Sequence, residues 1–343
     1  MVEDPMSDRS GPKWQAIGKS VRGASHSRSG RPNQDAIQWT AAPGTDELPL
    51  VLAVSDGHGA LECFRSHVGS RLAAEAATTV IHESLSEQSP PSVVKRWAQE
   101  KLPRQIVRRW QDLVADHLAD TPPTKNDWRQ LEAEAGVAER RRVVLDPVIA
   151  YGATLLSIVV AESFILYLQL GDGDILSVSE AGQVTRPPLP PDERLFANET
   201  TTLCASDPWR DFRSHLHMIT DSSPALLLAC TDGYANSFRD EQDFLKVGVD
   251  FLDQIRLHGL DGVTEKMEGW LDEASRRGSG DDITLGIVCR MDAVDRPATG
   301  GRVPEGRSEQ QQPESSTEAL ENEGSDLELG PKPVSNLEEE AGP

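Results

Sequence analysis

Apolar runs that stop at an aspartate constrain this chain more than any other feature. Leu50–Ser55 (LVLAVS) stops at Asp56, and FILYLQLG (164–171) stops at Asp172. LLLACT (226–231) stops at Asp232, while Asp281 and Asp282 open ITLGIV (283–288). Short apolar runs bounded by turn residues read as strands, and LVLAVS as one buried on both faces. If such strands lie side by side, their ends bring carboxylates from remote parts of the chain to one place.

The rest of the chain fits around them. The pattern from Trp14 to about Thr40 predicts two strands separated by a loop over 25–33. Helical spacing covers 61–84. A second helix covers 92–118, with Val93, Val94, Trp97, Ile106, Trp110, Leu113 and Val114 near one stripe, divided or kinked at Pro103. Residues 120–147 are polar and mixed, with room for one short helix. Strands are predicted over 154–160, 164–170 and 175–178, separated by turn chemistry. A proline-rich loop spans 186–210, helices cover 241–257 and 261–277, and a last strand covers 283–289.

Grouped strands with helices elsewhere, and no regular β-α-β alternation, predict an α+β fold of packed sheets with helices outside. Residues 1–13 are polar and predicted to be loose. Residues 14–292 form the expected folded domain. Residues 293–343 are rich in Glu, Gly, Pro, Ser and Gln, a composition predicting a disordered acidic tail.

The formal net charge is −22, which disfavours nucleic acid and anionic membranes as partners. An acidic protein that handles phosphate must concentrate positive charge locally, which bound divalent cations do. Cys63, Cys204, Cys230 and Cys289 form no C-x-x-C pair, so neither a zinc knuckle nor a redox motif is present in the sequence. They read as buried thiols of a reducing compartment. The N-terminus lacks signal-peptide texture and the apolar runs are too short to span a bilayer. The expectation is a monomeric cytoplasmic protein without membrane contact.

Clustered carboxylates repel one another and raise each other's pKa values, which hard cations relieve. Mg²⁺ and Mn²⁺ take oxygen ligands, and two such ions roughly 3.5–4 Å apart can clamp a phosphoryl group and activate a water. Gly57 leaves its carbonyl accessible to a metal, and His58 can protonate a leaving oxygen. One Asp-Gly alone is usually just a turn. The Asp172-Gly173-Asp174 start of an EF-hand loop fails at Leu176. The remaining histidines read as structural or surface residues. No Gly-x-Ser-x-Gly elbow and no P-loop occurs.

Six stretches in order carry a family resemblance: RPNQDAI (31–37), VLAVSDGHGA (51–60), YGATLLSIVV (151–160), LQLGDGDILSV (168–178), LLLACTDGYANSF (226–238) and GSGDDITLGIV (278–288). The chain resembles the metal-dependent protein phosphatases, the type 2C serine/threonine family in its bacterial style. The resemblance implies a four-layer α-β-β-α sandwich, two packed antiparallel sheets flanked by helices. It implies two Mg²⁺ or Mn²⁺ ions and a third, weaker one. Asp56 would bridge both ions, Gly57 would offer its carbonyl, Asp232 and Asp281 would bind the other ion, and Asp35 would lie close by. Asp172 matches the third-metal position, and His58 the general acid.

The implied substrate is a phosphorylated protein from a serine/threonine kinase pathway. Arg28 and Arg31 both compete to hold its phosphate, with Arg31 preferred. Gln34 stands where the family often has Glu, and Asn236 where many members have Asp. These departures keep open a degenerate phosphatase acting as a phosphoprotein-binding regulatory module. A different two-metal hydrolase of small phosphomonoesters or diesters is the other alternative.

Overall fold

The computed structural model describes residues 13–40, 48–85, 90–191, 200–219 and 223–294. In chain order, β1 (Trp14–Val21), α1 (Ala24–Ser29), β2 (Ala36–Trp39) and β3 (Leu50–Ser55) are followed by a 3-10 turn at Leu61–Cys63. Four helices come next: α2 (Ser66–Ser84), α3 (Pro91–Glu100), α4 (Leu102–Asp120) and α5 (Lys125–Leu145). Then come β4 (Leu155–Val160), β5 (Phe164–Leu170), β6 (Asp174–Val178), β7 (Val184–Thr185), β8 (Arg213–Met218) and β9 (Leu226–Cys230). The described chain closes with α6 (Asp232–Ala235), α7 (Glu241–Arg277), β10 (Ile283–Arg290) and α8 (Met291–Val294).

The strands form two five-stranded sheets, ordered β1-β10-β9-β6-β7 and β2-β3-β4-β5-β8. Every pairing is antiparallel. Successive strand residues face opposite ways, and in the central strands β3, β4, β5, β9 and β10 both faces are dry. Leu50, Leu52 and Val54 of β3, with Leu156 and Ile158 of β4, pack against Leu227 and Ala229 of β9 and Val288 of β10. The alternate residues Val51 and Ala53 face out toward α2, which presents Ala73, Ala76 and Ala77. On the other sheet, Leu228, Leu285 and Ile287 meet Phe251, Leu252 and Met267 of α7. The order is thus helix, sheet, sheet, helix. Sandwiching between a second sheet and a helical layer explains why antiparallel strands carry continuous apolar runs. Leu52 is wholly buried in the inter-sheet core, where truncation to Ala costs about 2–5 kcal/mol.

Several expectations are corrected. The loop expected over 25–33 contains α1, which ends at Gly30 in the left-handed conformation. The helix predicted from 61 begins as the separate 3-10 turn, and α2 starts only at Ser66. Pro103 does divide the next helix: it falls in the first turn of α4, where its missing N–H is not needed. The short helix allowed within 120–147 is instead the 21-residue α5, interrupted at Gly136. A capping box starts it, with Thr124 Oγ1 accepting from Asp127 N and Asp127 Oδ2 accepting from Thr124 N. Its only fully buried residues are Leu131 and Val143, so its apolar periodicity is faint.

The two helices predicted over 241–257 and 261–277 are both present: α7 is two helices meeting at a kink at Gly259 (φ 71°, ψ 172°), a conformation that glycine adopts without strain. β7 and β8 were not predicted, because both are sheet edges and β8 is only half-buried. Residues 192–199 of the predicted loop, and most of 1–13 and 293–343, lie outside the described residues. Ala293 and Val294, placed in the tail by composition, are buried in α8.

Candidate metal and phosphate site

The aspartates singled out in the sequence come together at one end of the sandwich, between the sheets. Asp35 precedes β2 and Asp56 follows β3; Asp172 lies between β5 and β6, Asp232 opens α6, and Asp281 precedes β10. Asp56 feels the charges of Asp35, Asp232 and Asp281 and shares a hydrogen bond with Asp232. Asp172 acts on both Asp232 and His58.

Backbone hydrogen bonds fix the central turn. Asp56 N donates to Thr154 Oγ1 (3.0 Å), and Thr154 N donates to Asp56 O (2.8 Å). Gly57 N donates to Gln34 O (3.1 Å), and His58 N donates to Gly152 O (3.0 Å). A Cβ on Gly57 would stand 2.6 Å from both Gln34 O and Ser66 O. Only glycine fits between those carbonyls, so Asp56-Gly57-His58 is clamped by three remote segments.

Asp282, noted in the sequence only as a strand opener, is the organiser that sequence reasoning missed. Its Oδ1 accepts from Gly23 N (2.6 Å), and its Oδ2 accepts from Gln34 N (2.6 Å) and contacts His26 Nδ1 (2.8 Å). It therefore ties the β1–α1 connection and the Asn33-Gln34-Asp35 turn to the start of β10. The doubled Asp281-Asp282 was the only sequence signal for it. Thr231 is a second missed residue. Its Oγ1 donates to Asp35 Oδ2 (2.8 Å) and accepts from Thr284 N (3.0 Å).

Burial dominates the electrostatics. It pushes the Asp35 carboxyl up to about 8, against the Thr231 hydrogen bond and with help from the Asp282 charge. Burial raises Asp56 well above its ordinary value, and the charges of Asp35 and Asp232 add to it. Asp232 is raised by burial first and then by Asp172 and Asp281, against its hydrogen bond to Asp56. None of the main influences on these three comes from a basic side chain. The His58 imidazole is held below its ordinary value by burial, which outweighs Asp172 and Glu62.

This donor set fits divalent cations. One buried carboxylate, Asp35, and two partly buried ones, Asp56 and Asp232, have no basic side chain among their main influences, and hard-cation sites are built from such oxygen ligands. Gln34 adds a buried Oε1 without a hydrogen-bond partner, while its Nε2 donates to His58 O (3.2 Å) and to Ser66 Oγ. Among the described residues, ligand atoms already converge within 4.8 Å at His26, Asp281 and Asp282. That trio is engaged otherwise: His26 and Asp282 satisfy one another, and Asp282 N donates to Asp281 Oδ1 (2.9 Å).

The two candidate arginines are both exposed but differ in placement. Arg31 Nη1 donates to Gly59 O (3.3 Å), directly beside the central turn. Arg28 sits in the last turn of α1. Arg31, Gln34, Gly59 and His67 line one side of a cleft of about 220 Å³, and Gln130 and Glu134 of α5 line the other. Asn236, the other departure, donates from Nδ2 to Asp232 Oδ2 (3.1 Å) and so orients that carboxylate.

Residues 22–272 match the family model described as Protein phosphatase 2C, and the chain belongs to that family. Its folded architecture is similar to several solved structures. One is the Mycobacterium tuberculosis serine/threonine phosphatase PstP/Ppp, at 16% identity, covering 81% of this chain and 98% of that one, with a TM-score of 0.46. Another is Stp1 from Staphylococcus aureus, at 15% identity, covering 81% and 96%, with a TM-score of 0.47. PppA, described as a key regulatory component of T6SS in Pseudomonas aeruginosa, is 16% identical over 81% and 98%, with a TM-score of 0.46. No curated protein matches the chain by sequence. Among the described residues, no helix is long and apolar enough to cross a membrane.

Proposed function

We propose that this chain is a protein serine/threonine phosphatase that hydrolyses phosphoserine and phosphothreonine with divalent cations, Mg²⁺ or Mn²⁺, held by its strand-end carboxylates. One observation carries the reading: buried Asp35 and partly buried Asp56 and Asp232 act on one another with no basic side chain among their main influences, and Asp56 lies two residues from His58. Family membership supports the reaction class.

On this reading Asp56, the Gly57 carbonyl, Asp232 and Asp281 hold two cations, with Asp35 and Gln34 Oε1 alongside and Asp172 at a third, weaker position. Cations held there would supply charge neutralisation at phosphoryl oxygens and a lowered pKa for a water. His58 donates the proton that the departing serine or threonine oxygen needs. Its lowered affinity for that proton is opposed when a phosphate dianion enters the site. Arg31, at the mouth, makes charge-assisted hydrogen bonds to the phosphate. Asp282 and Thr231 touch no substrate and hold Gln34 and Asp35 in place.

The test is hydrolysis of a phosphoserine peptide with Mn²⁺ by wild type, Asp56→Asn and Asp232→Asn. Wild-type turnover that both substitutions abolish supports the reading; equal rates in all three overturn it. The amide at Gln34 motivates a second reading, a phosphoprotein-binding regulatory module. Full metal occupancy with phosphopeptide binding and no turnover would select that one.

A further inference from the structure

Two cysteines far apart in sequence meet beside the candidate general acid. Cys63 ends the 3-10 turn that follows the Asp-Gly-His-Gly turn, and Cys204 lies in the loop before β8. A Cβ placed on Gly152 would stand 2.9 Å from Cys204 Sγ, 3.0 Å from Cys63 Sγ and 2.9 Å from His58 Cδ2. The two sulfurs and the His58 ring therefore crowd around one point. The sulfurs face each other across that point and are not joined by a disulfide.

The pair is asymmetric in the way that sequential oxidation requires. Cys204 is only partly buried, whereas Cys63 is 4% exposed. The neighbouring Cys63 thiol pulls the Cys204 thiol down to about 7, against burial, with Thr202 Oγ1 (3.4 Å) adding to it. The Cys63 thiol is pushed up by Cys204 and then by its burial. A partly exposed, thiolate-prone sulfur with a neighbouring thiol is the arrangement of an oxidisable pair. Cys230 and Cys289 are sealed in the core between α7 and its sheet.

We propose that Cys204 and Cys63 form a hydroperoxide-responsive thiol pair whose disulfide disables the neighbouring site. The Cys204 thiolate attacks the distal oxygen of a hydroperoxide. An S–O bond forms, the O–O bond breaks, and the alcohol or water departs with a proton, leaving a sulfenic acid. Cys63 sulfur then attacks Cys204 sulfur, the S–O bond breaks and water leaves. Two thiols are oxidised by two electrons and one peroxide is reduced.

The consequence for the site follows from the shared wall. A disulfide needs sulfurs about 2.05 Å apart, well inside non-bonded contact. Closing them draws the 61–63 turn and the 200–204 loop together across Gly152, whose carbonyl accepts from His58 N. The same loop holds Asp172 through Thr200 Oγ1 (2.7 Å) and pairs Leu203 N with Ala153 O (2.9 Å). A misplacement of about 1 Å at a reacting group can lower turnover about 100-fold. The effect on turnover rests on the phosphatase reading, whereas formation of the disulfide does not.

The experiment treats the full chain with hydrogen peroxide, alkylates the remaining thiols after unfolding, and maps the digest by mass spectrometry. The expected result is a cross-linked Cys63–Cys204 peptide pair with Cys230 and Cys289 alkylated. Phosphopeptide turnover should fall at least about 10-fold and return with dithiothreitol. Cys63→Ser should stop at a Cys204 sulfenic acid that dimedone traps, and Cys204→Ser should resist inactivation. The wild-type cross-link is read without either variant, so a misfolded variant leaves the test intact. A peroxide-treated chain with no 63–204 cross-link overturns the proposal. A complete cross-link with unchanged turnover overturns the disabling step. A chain inactive before oxidation would count against the phosphatase reading, while the cross-link would still decide the thiol pair.

Discussion

Replacing Asp35 with asparagine should stabilise the metal-free protein, with a pH dependence set by its buried carboxyl. Asp35 rises from its ordinary 3.8 to about 8 in the folded state. Below pH 3.8 both folded and unfolded chains keep the proton, and no penalty exists. Between the two values the unfolded chain ionises while the folded one stays protonated, so stability falls as pH rises. Above pH 8 the loss is constant. At about 1.4 kcal/mol per pH unit, the wild type has lost about 4 kcal/mol by pH 7.

Asparagine does not titrate, and its carbonyl still accepts from Thr231. In excess chelator, thermal unfolding of Asp35→Asn and wild type should coincide near pH 4 and diverge toward neutrality. For a domain of this size the gap at pH 7 should be about 8 °C or more. Saturating Mn²⁺ should narrow it, because a ligand that binds only the folded state stabilises by about 2.7 kcal/mol at 100 Kd, and the variant binds more weakly. Two melting curves that run parallel across this pH range, with or without metal, would refute the reasoning.

Asp282→Ala should destabilise the chain by about 2–6 kcal/mol, since it orphans the Gly23 and Gln34 amides, and Asp282→Asn by less; urea unfolding checks this. His58→Ala should lower kcat on a phosphoserine peptide about 10²–10⁴-fold. It should have far less effect on an aryl phosphate, whose leaving group needs no proton; equal losses on both substrates would remove the general-acid role. Arg31→Ala should raise the phosphopeptide KM about 10-fold or more. Arg28→Ala should leave KM nearly unchanged, and steady-state kinetics on the two variants distinguish them.

The strands that build the site were legible because burial on two faces leaves unbroken apolar runs, such as Leu50–Ser55 and Phe164–Leu170, that end sharply at aspartates. β8 was illegible for the converse reason. As an edge strand reading Arg-Ser-His-Leu-His-Met it is half-buried up to an exposed Met218, and nothing in its polarity separates it from loop. The length of α5 was hidden because only Leu131 and Val143 are buried, Val137, Val144 and Leu145 are exposed, and Gly136 interrupts its period.

At the site, Asp35, Asp56, Asp172, Asp232, Asp281 and His58 could be picked out because each stands in a local pattern. Asp282 could not, because its partners Gly23, His26 and Gln34 lie near the other end of the chain. The Cys63–Cys204 contact is likewise a product of folding alone. The sequence offered both Arg28 and Arg31 with Arg31 preferred, and its hydrogen bond to Gly59 O puts Arg31 beside the central turn.

The most direct test of the metal centre is calorimetric titration of Mn²⁺ into the metal-free chain at pH 7, repeated in buffers of different ionisation enthalpy. Carboxyls that hold protons at neutrality must release them to a cation. The account predicts about two Mn²⁺ per chain with release of about one proton or more, less release in Asp35→Asn, and binding lost in Asp56→Asn. Absence of binding, binding without proton release, or an isotherm unchanged by Asp56→Asn would contradict it.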